Sequence, residues 1–264
     1  MKLLSSRLNP SLGLALLFSR QELVDRHREN ALGALWLLVQ PLAFIVLFST
    51  VFSHFMRARL GNDADPNAYT VYLIGGVLTW NLFANAITRL ASVYSGKAYL
   101  IRKVELDLWL MPLHVLVTEG VVYVISMAFF TVFLVWIGHM PTLSWLALPV
   151  VMLVLATVTY AIGITLGTLD VFLPDIKNAL GILLQFGFWL TPVVYLPEIL
   201  PPWAQSVLVF NPLFVVVDAV HQIIVFDRMP AWPPLAALLA SAVLLLRLSH
   251  CLLRRLESEI RDLL

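Results

Sequence analysis

From Gly120 to Leu169 the chain runs fifty residues without an Asp, Glu, Lys or Arg. A helix that crosses a bilayer takes about 20 apolar residues. The stretch therefore holds two such helices and folds back once between them. "GHMPTLS" (138–144) gathers Gly138, Pro141 and polar side chains near the middle and is the expected turn. Further charge-free windows cover 30–56, 66–88, 178–197, 199–217 and 229–246. They predict spans at 34–56, 69–91, 109–137, 145–168, 178–196 and 231–250.

Composition agrees. The 264 residues are 60% hydrophobic and 12% charged, where a soluble domain carries about 25% charged residues. The fold class read from the sequence is an all-α integral membrane protein with six transmembrane helices. The one cysteine, Cys251, argues against a disulfide-stapled extracellular domain. No cleavable signal peptide is expected, because "LGLALLF" (12–18) is short and leads into charged residues.

The window 199–217 breaks the pattern. Pro201, Pro202, Asn211 and Pro212 divide it into pieces too short to span, and proline disfavours helix at the residue before it. Two short re-entrant helices at 198–226, with their broken backbone buried in protein, are expected before the last span.

Basic residues set the orientation. With six spans both termini share a side. That side collects Lys2, Arg7, Arg20, Arg26, Arg28, Arg89, Lys97, Arg102, Lys103, Lys177, Arg247, Arg254, Arg255 and Arg261, which is 14 of the 17 basic residues. Both termini are therefore expected in the cytoplasm, with 251–264 as a cytoplasmic tail. Residues 1–33 form the N-terminal segment. Leu12, Leu16, Leu23 and Val24 alternate there with charged residues, which suits an amphipathic helix lying in the membrane interface. No internal repeat of the kind found in inverted-repeat transporters is visible.

No enzyme motif is present. The chain lacks HExxH, GxSxG, a Cys/His metal cluster and a P-loop; "YSGKAYL" (94–100) has Gly-Lys without the upstream glycine or the following Ser/Thr. Any ATP that drives the protein must bind another chain. Two loops on the basic side, "SGKAYLIRKVELDLW" (95–109) and "LDVFLPDIKNALG" (169–181), mix apolar and charged residues over about two turns. They read either as solvated connectors or as docking helices for a cytoplasmic partner. Glu119 lies inside a span, as a functional charge or a structural hydrogen-bond partner. Asp218 and His221, three apart, could meet on a short helix. Aromatic residues are dense around the spans, and Phe44, Phe48 and Phe52 fall on one face of the first. Such a stripe suits either packing or a pore that stacks on sugar rings.

Four stretches resemble one family in register. "LGALWLLVQP" (32–41), "YLIGGVLTWNLFANAI" (72–87), "LIRKVELDLWLMPL" (100–113) and "LTPVVYLPEILPPWAQSVLVFNPL" (190–213) are similar to the signatures of ABC-2 type permeases. These are the membrane subunits of ABC exporters for polysaccharides, polyol phosphates and O-antigen. The sequence departs from the family at Thr79, at Glu105 and Leu106, and in "DVFLPDIKN" (170–178).

The resemblance implies a type V exporter fold and a transport subunit rather than an enzyme. It implies a homodimer with two copies of an ABC ATPase, which would bind ATP and Mg; this chain would carry no cofactor or metal. Coupling helices at 96–107 and 170–178 would offer Lys97, Arg102, Lys103, Glu105, Asp170, Asp175 and Lys177 to the ATPase. A polyprenyl-pyrophosphate-linked glycan would enter from the cytoplasmic leaflet. Its pyrophosphate needs cations there, for which Arg20, Arg26 and Arg28 are candidates. Trp36, Phe44, Phe48, Phe52, Trp80, Phe83, Phe188, Trp189 and Tyr195 are channel-lining candidates, and Trp203, Asn211 and Pro212 would form an outer gate. The implied location is the inner membrane, among lipids and with no nucleic-acid partner. O-antigen, capsule and teichoic acid all remain open as cargo. A multidrug or small-lipid exporter of the same family, a membrane-embedded glycolipid enzyme and a secondary transporter are the alternatives.

Overall fold

The computed structural model describes residues 13, 17–22, 39, 43, 45–47, 50, 67–104 and 106–264. Most of the expected first span at 34–56 and of the interfacial segment 1–33 lies outside the described residues. So do Arg26, Arg28, Trp36, Phe44, Phe48, Phe52 and Glu105.

Every regular element among the described residues is helical. The apolar windows become α1 (Ala68–Ala91), α3 (Leu113–Trp136), α4 (Leu148–Asp170), α5 (Ile176–Leu190) and α8 (Trp232–Leu263). Between them lie α2 (Ala98–Lys103), α6 (Pro202–Leu208) and α7 (Pro212–Ile224). Among the described residues four helices are long and apolar enough to cross a membrane, five if α6 and α7 are counted as one broken span.

Local chemistry explains the ends. Gly138, at φ +87°, closes α3, and the amide of His139 donates to Leu134 O at 2.9 Å, a left-handed C-terminal cap that glycine favours. The anticipated turn at 138–144 begins there. Helix α4 carries proline in its first turn, as do α7 and α8, the position where the missing N–H costs nothing. Helices α6 and α7 meet at 97° across Asn211.

Two boundaries differ from expectation. Helix α5 ends at Leu190 and not at 196, because Pro192 forces Thr191 to extended backbone (ψ 130°). Its 15 residues rise about 23 Å, short of a bilayer core of about 30 Å. The last span, expected to end at 250, runs on through the expected tail to Leu263 as one helix of 32 residues.

Helix α1 is the hub. It packs on α3, α4, α5 and α7, while α8 lies along α4. The α1–α4 contact is close because of a Gly-xxx-Gly pair on α4. A Cβ on Gly163 would come within 2.6 Å of the Leu90 Cβ, and one on Gly167 within 2.6 Å of Leu90 O. Small residues at this spacing let membrane helices approach. Helices α3, α5 and α8 turn apolar side chains outward, among them Val132, Leu183 and Leu244, as helices facing lipid do. Tyr72, Phe130 and Leu155 are deep in the core.

Candidate functional site

Two irregular regions sit at opposite ends of the bundle. At the basic end the chain leaves α1, makes a 3-10 turn at Ser95–Lys97, enters α2 and returns through 106–112 to α3. Arg89, in the last turn of α1, complements the helix dipole there. Its guanidinium forms ion pairs with Glu22 and with Glu119 on α3. Glu119, the acidic residue inside a span, thus has a cationic partner and is 1% exposed at its side chain.

Residues 17–22, helical where described, are held to this end. Ser19 Oγ donates to His114 O at 3.3 Å, and Glu22 lies 3.3 Å from His114 Nε2. Lys97 Nζ sits 4.5 Å above the Phe18 ring. Burial lowers the Lys97 pKa, and the Glu22 carboxylate opposes that shift. Glu22, Arg89, Ser92, Gly96, Lys97 and His114 line a cavity of about 190 Å³. Arg20 is exposed on the same short segment.

A second polar knot joins the two loops of the basic end. Asp170, fully buried at its side chain, accepts a 2.7 Å hydrogen bond from Ser95 Oγ and pairs with Lys177 Nζ at 3.2 Å. Lys177 also donates to Ser95 Oγ at 3.0 Å. Asp170 therefore faces inward, while Lys177, 43% exposed at its side chain, reaches in from the surface to tie the loops together. Pro174 stands between them, and 171–175 forms turns, so the helix anticipated at 170–178 is not present. Asp175 is exposed at the start of α5.

The expected helix at 96–107 is shorter, α2 alone. Arg102 and Lys103 are exposed on it, and Lys103 pairs with the outward-facing Tyr99. The return segment of the loop, 106–111, is fastened by two tyrosine hydroxyls and by its own Asp107. Tyr94 OH donates to Leu108 O at 2.9 Å, and Tyr160 OH, on α4, donates to Trp109 O. Asp107 Oδ1 accepts from the Trp109 amide at 2.9 Å.

At the opposite end the chain from Thr191 to Leu196 is irregular, and its carbonyls need donors. Helix α1 supplies them. Tyr69 OH donates to Val194 O at 2.7 Å, and Tyr72 OH to Tyr195 O at 2.9 Å and Pro192 O at 3.2 Å. His221 stacks on Tyr72, with ring centroids 3.6 Å apart, and its Nε2 lies 3.0 Å from Tyr72 O. Asp218 instead accepts from Gln222, so the expected Asp218–His221 pairing gives way to two separate contacts. A Cβ on Gly76 would fall 2.9 Å from Val193 O, which is why the segment can lie this close to α1.

Asn211 couples this irregular segment, 191–196, to the bent helix pair. Its Oδ1 caps α7 by accepting from Leu213 and Phe214, while Nδ2 donates to Thr191 Oγ1 at 2.9 Å. Pro212 follows as the first residue of α7. Trp203 and Trp189 are exposed, and Tyr195 OH donates to Trp189 O. Phe188 is half-buried. Trp80 and Phe83 are 7% exposed each, and Trp80 packs edge-on against Phe188 at 5.6 Å; these two rings are core packing rather than surface.

Sequence reasoning passed over Tyr69, Tyr72 and Gly76, which hold 191–196 against α1, and the Gly163–Gly167 pair. The spacing of the two glycines on α4 was a readable signal. For the tyrosines only the proximity of two hydroxyls at one helix start was available.

A model of the family described as ABC-2 type transporter matches residues 14–225. The O-antigen export system permease protein RfbA of Myxococcus xanthus is 30% identical over 236 residues, covering 89% of this chain and 88% of that one. The protein of the same name from Klebsiella pneumoniae is 27% identical over 201 residues, 76% of this chain and 75% of the relative.

Proposed function

The chain belongs to the ABC-2 type transporter family, and we propose from that premise that it is the membrane permease of an ATP-driven exporter. Its cargo is a lipid-linked polysaccharide of the O-antigen type, carried across the inner membrane. The observation that carries the cargo is the similarity, over three quarters or more of the chain, to permeases named for O-antigen export.

In this reading the permease has six spans, with 34–56 as the first, α5 and the irregular 191–196 crossing together as the fifth, and both termini in the cytoplasm. Two copies pair with two ATPase subunits, and ATP with Mg is bound and hydrolysed there. Helix α2 docks on the ATPase through Tyr99, Arg102 and Lys103, supported by their exposure at the tip of the basic-end loop. Lys97, Glu105 and Asp175 border that contact. Asp170 acts from beneath it and Lys177 from its edge, by fastening the second loop to Ser95.

Arg20, Arg26 and Arg28 receive the pyrophosphate of the lipid carrier as it enters along the N-terminal segment; an anionic headgroup there meets cations without crossing apolar surface. Phe188, Trp189 and Tyr195, with Trp36, Phe44, Phe48 and Phe52, line the glycan's path, where rings stack on sugars. The plug at 191–196 and the bent pair α6–α7 form the outer gate. In that gate Asn211 links plug to helix, Pro212 starts the helix, and Trp203 stands at the rim. The test is purification of the tagged chain from native membranes in mild detergent. Co-purification of a Walker-A ATPase at matching stoichiometry supports the reading, and recovery of the chain alone overturns it.

A further inference from the structure

Helix α8 has 32 residues and rises about 48 Å, well beyond a bilayer core of about 30 Å. Its last turns therefore stand outside the apolar layer. They are amphipathic: Ser249, Leu253 and Ile260 are buried, with Leu256 half-buried between them, while Arg254, Arg255 and Glu259 are exposed. Leu253 and Ile260 share one apolar cluster with Ile101 of α2 and with Leu106, Leu108 and Met111 of the return segment. At its end Arg261 Nη2 donates to Leu106 O at 2.7 Å and is held in place by Glu257 Oε1 at 3.0 Å.

We propose that Arg261 is a positioning residue for the energy-coupling loop: it anchors the segment that carries α2 to the last span, so that a push on α2 moves the bundle. The inference rests on the reading of α2 as the ATPase contact. A helix of six residues has no stability of its own, so α2 transmits force only if the chain beside it is fixed. Val104 donates to Leu100 O and ends α2. Two residues later the chain meets the Arg261 guanidinium, which offers a charge-assisted bond to a backbone carbonyl whatever side chain stands at 106. Tyr94 and Tyr160 hold the segment further on, at 108 and 109; of these three ties on the return segment, Arg261 is the one nearest α2.

The experiment uses the full permease–ATPase complex in proteoliposomes, reading glycan export and ATP hydrolysis together. Arg261→Ala is expected to lower export per ATP hydrolysed by roughly tenfold, the scale of one lost charge-assisted hydrogen bond. The ATPase should still co-purify at wild-type stoichiometry. Arg261→Lys, which keeps a charged donor, should restore most of the coupling. Hydrogen exchange should rise in 98–111 of the Ala variant and stay unchanged in α3 and α4. Unaltered export per ATP in the Ala variant overturns the inference, as does failure of Lys to rescue, or exchange rising throughout the bundle. If the wild-type chain itself neither holds an ATPase nor exports, the function reading has failed instead, and the two failures are distinguishable.

Discussion

Arg89 on α1 and Glu119 on α3 form an ion pair across two neighbouring helices, with the Glu119 carboxylate 1% exposed and Glu22 on the far side of the same guanidinium. A buried charge inside a span is tolerated when a partner of opposite sign meets it, and removing one member of such a pair costs about 3–5 kcal/mol. Glu119→Ala and Arg89→Ala should both destabilise the protein by that order, Arg89→Ala more, because it leaves two carboxylates facing each other. Thermal unfolding in detergent reads the effect. The Arg89→Met, Glu119→Met double variant should be more stable than either single alanine variant. If the double variant is as damaged as the sum of the singles, the pair is not the reason.

The Gly163–Gly167 contact predicts a contrast between glycines on adjacent helices. Gly167→Ala would press a Cβ against Leu90 O, and Gly163→Ala against the Leu90 side chain; overpacking of this kind costs about 1–3 kcal/mol. A Cβ on Gly120, on α3, would meet nothing within 4 Å. Gly120→Ala should be neutral or stabilising by about 0.5–1 kcal/mol through helix propensity. Membrane accumulation and melting temperature of the three variants check the order.

The plug at 191–196 depends on hydroxyls. Tyr72→Phe removes the donor shared by Pro192 O and Tyr195 O, a loss of about 1–3 kcal/mol for buried acceptors left unpaired. Asn211→Ala removes the α7 cap and the tie to Thr191 together, and cap loss alone is worth about 1 kcal/mol. Both variants should raise the labelling rate of a cysteine placed at Val193 by a thiol reagent, measured after Cys251→Ser. Unchanged labelling would show that the plug is held by packing alone.

The Asp170–Ser95–Lys177 knot ties the two basic-end loops. Lys177→Met leaves a buried carboxylate without its cation and should lower export severalfold with the ATPase still bound. Asp170→Asn combined with Lys177→Met removes both charges and should recover part of that loss, because an uncompensated buried charge costs more than an absent pair. Export assays on the two variants decide it.

Much of the helical layout was legible because membrane helices need long apolar runs. The window 120–169 yielded α3, its turn and α4, and the prolines around 201–212 announced the bent pair α6–α7. Partnership across helices was not legible. Arg89 sits thirty residues from Glu119 in sequence, and only the packing of α1 on α3 brings them together. Pro192 was read as part of a family signature, yet its plainer effect is to end α5 at Leu190. Pro174 likewise excludes a helix through 171–175, which an amphipathic pattern alone does not show. The extension of α8 was readable in the spacing of Leu253, Leu256 and Ile260. What that stripe covers depends on where 106–112 returns, a matter of tertiary structure. The first-span aromatics and Arg26, Arg28 and Glu105 lie outside the described residues.

The central claim is that this chain is an export permease driven by a separate ATPase. Its most direct test is reconstitution of the purified chain, with the ATPase that co-purifies, in liposomes bearing polyprenyl-pyrophosphate-linked glycan on the ATPase-facing side. The account predicts that glycan appears on the other side only with ATP and Mg, and stops when the ATPase Walker lysine is replaced. Transport that proceeds without ATP, or turnover of the glycolipid by this chain alone, would contradict it.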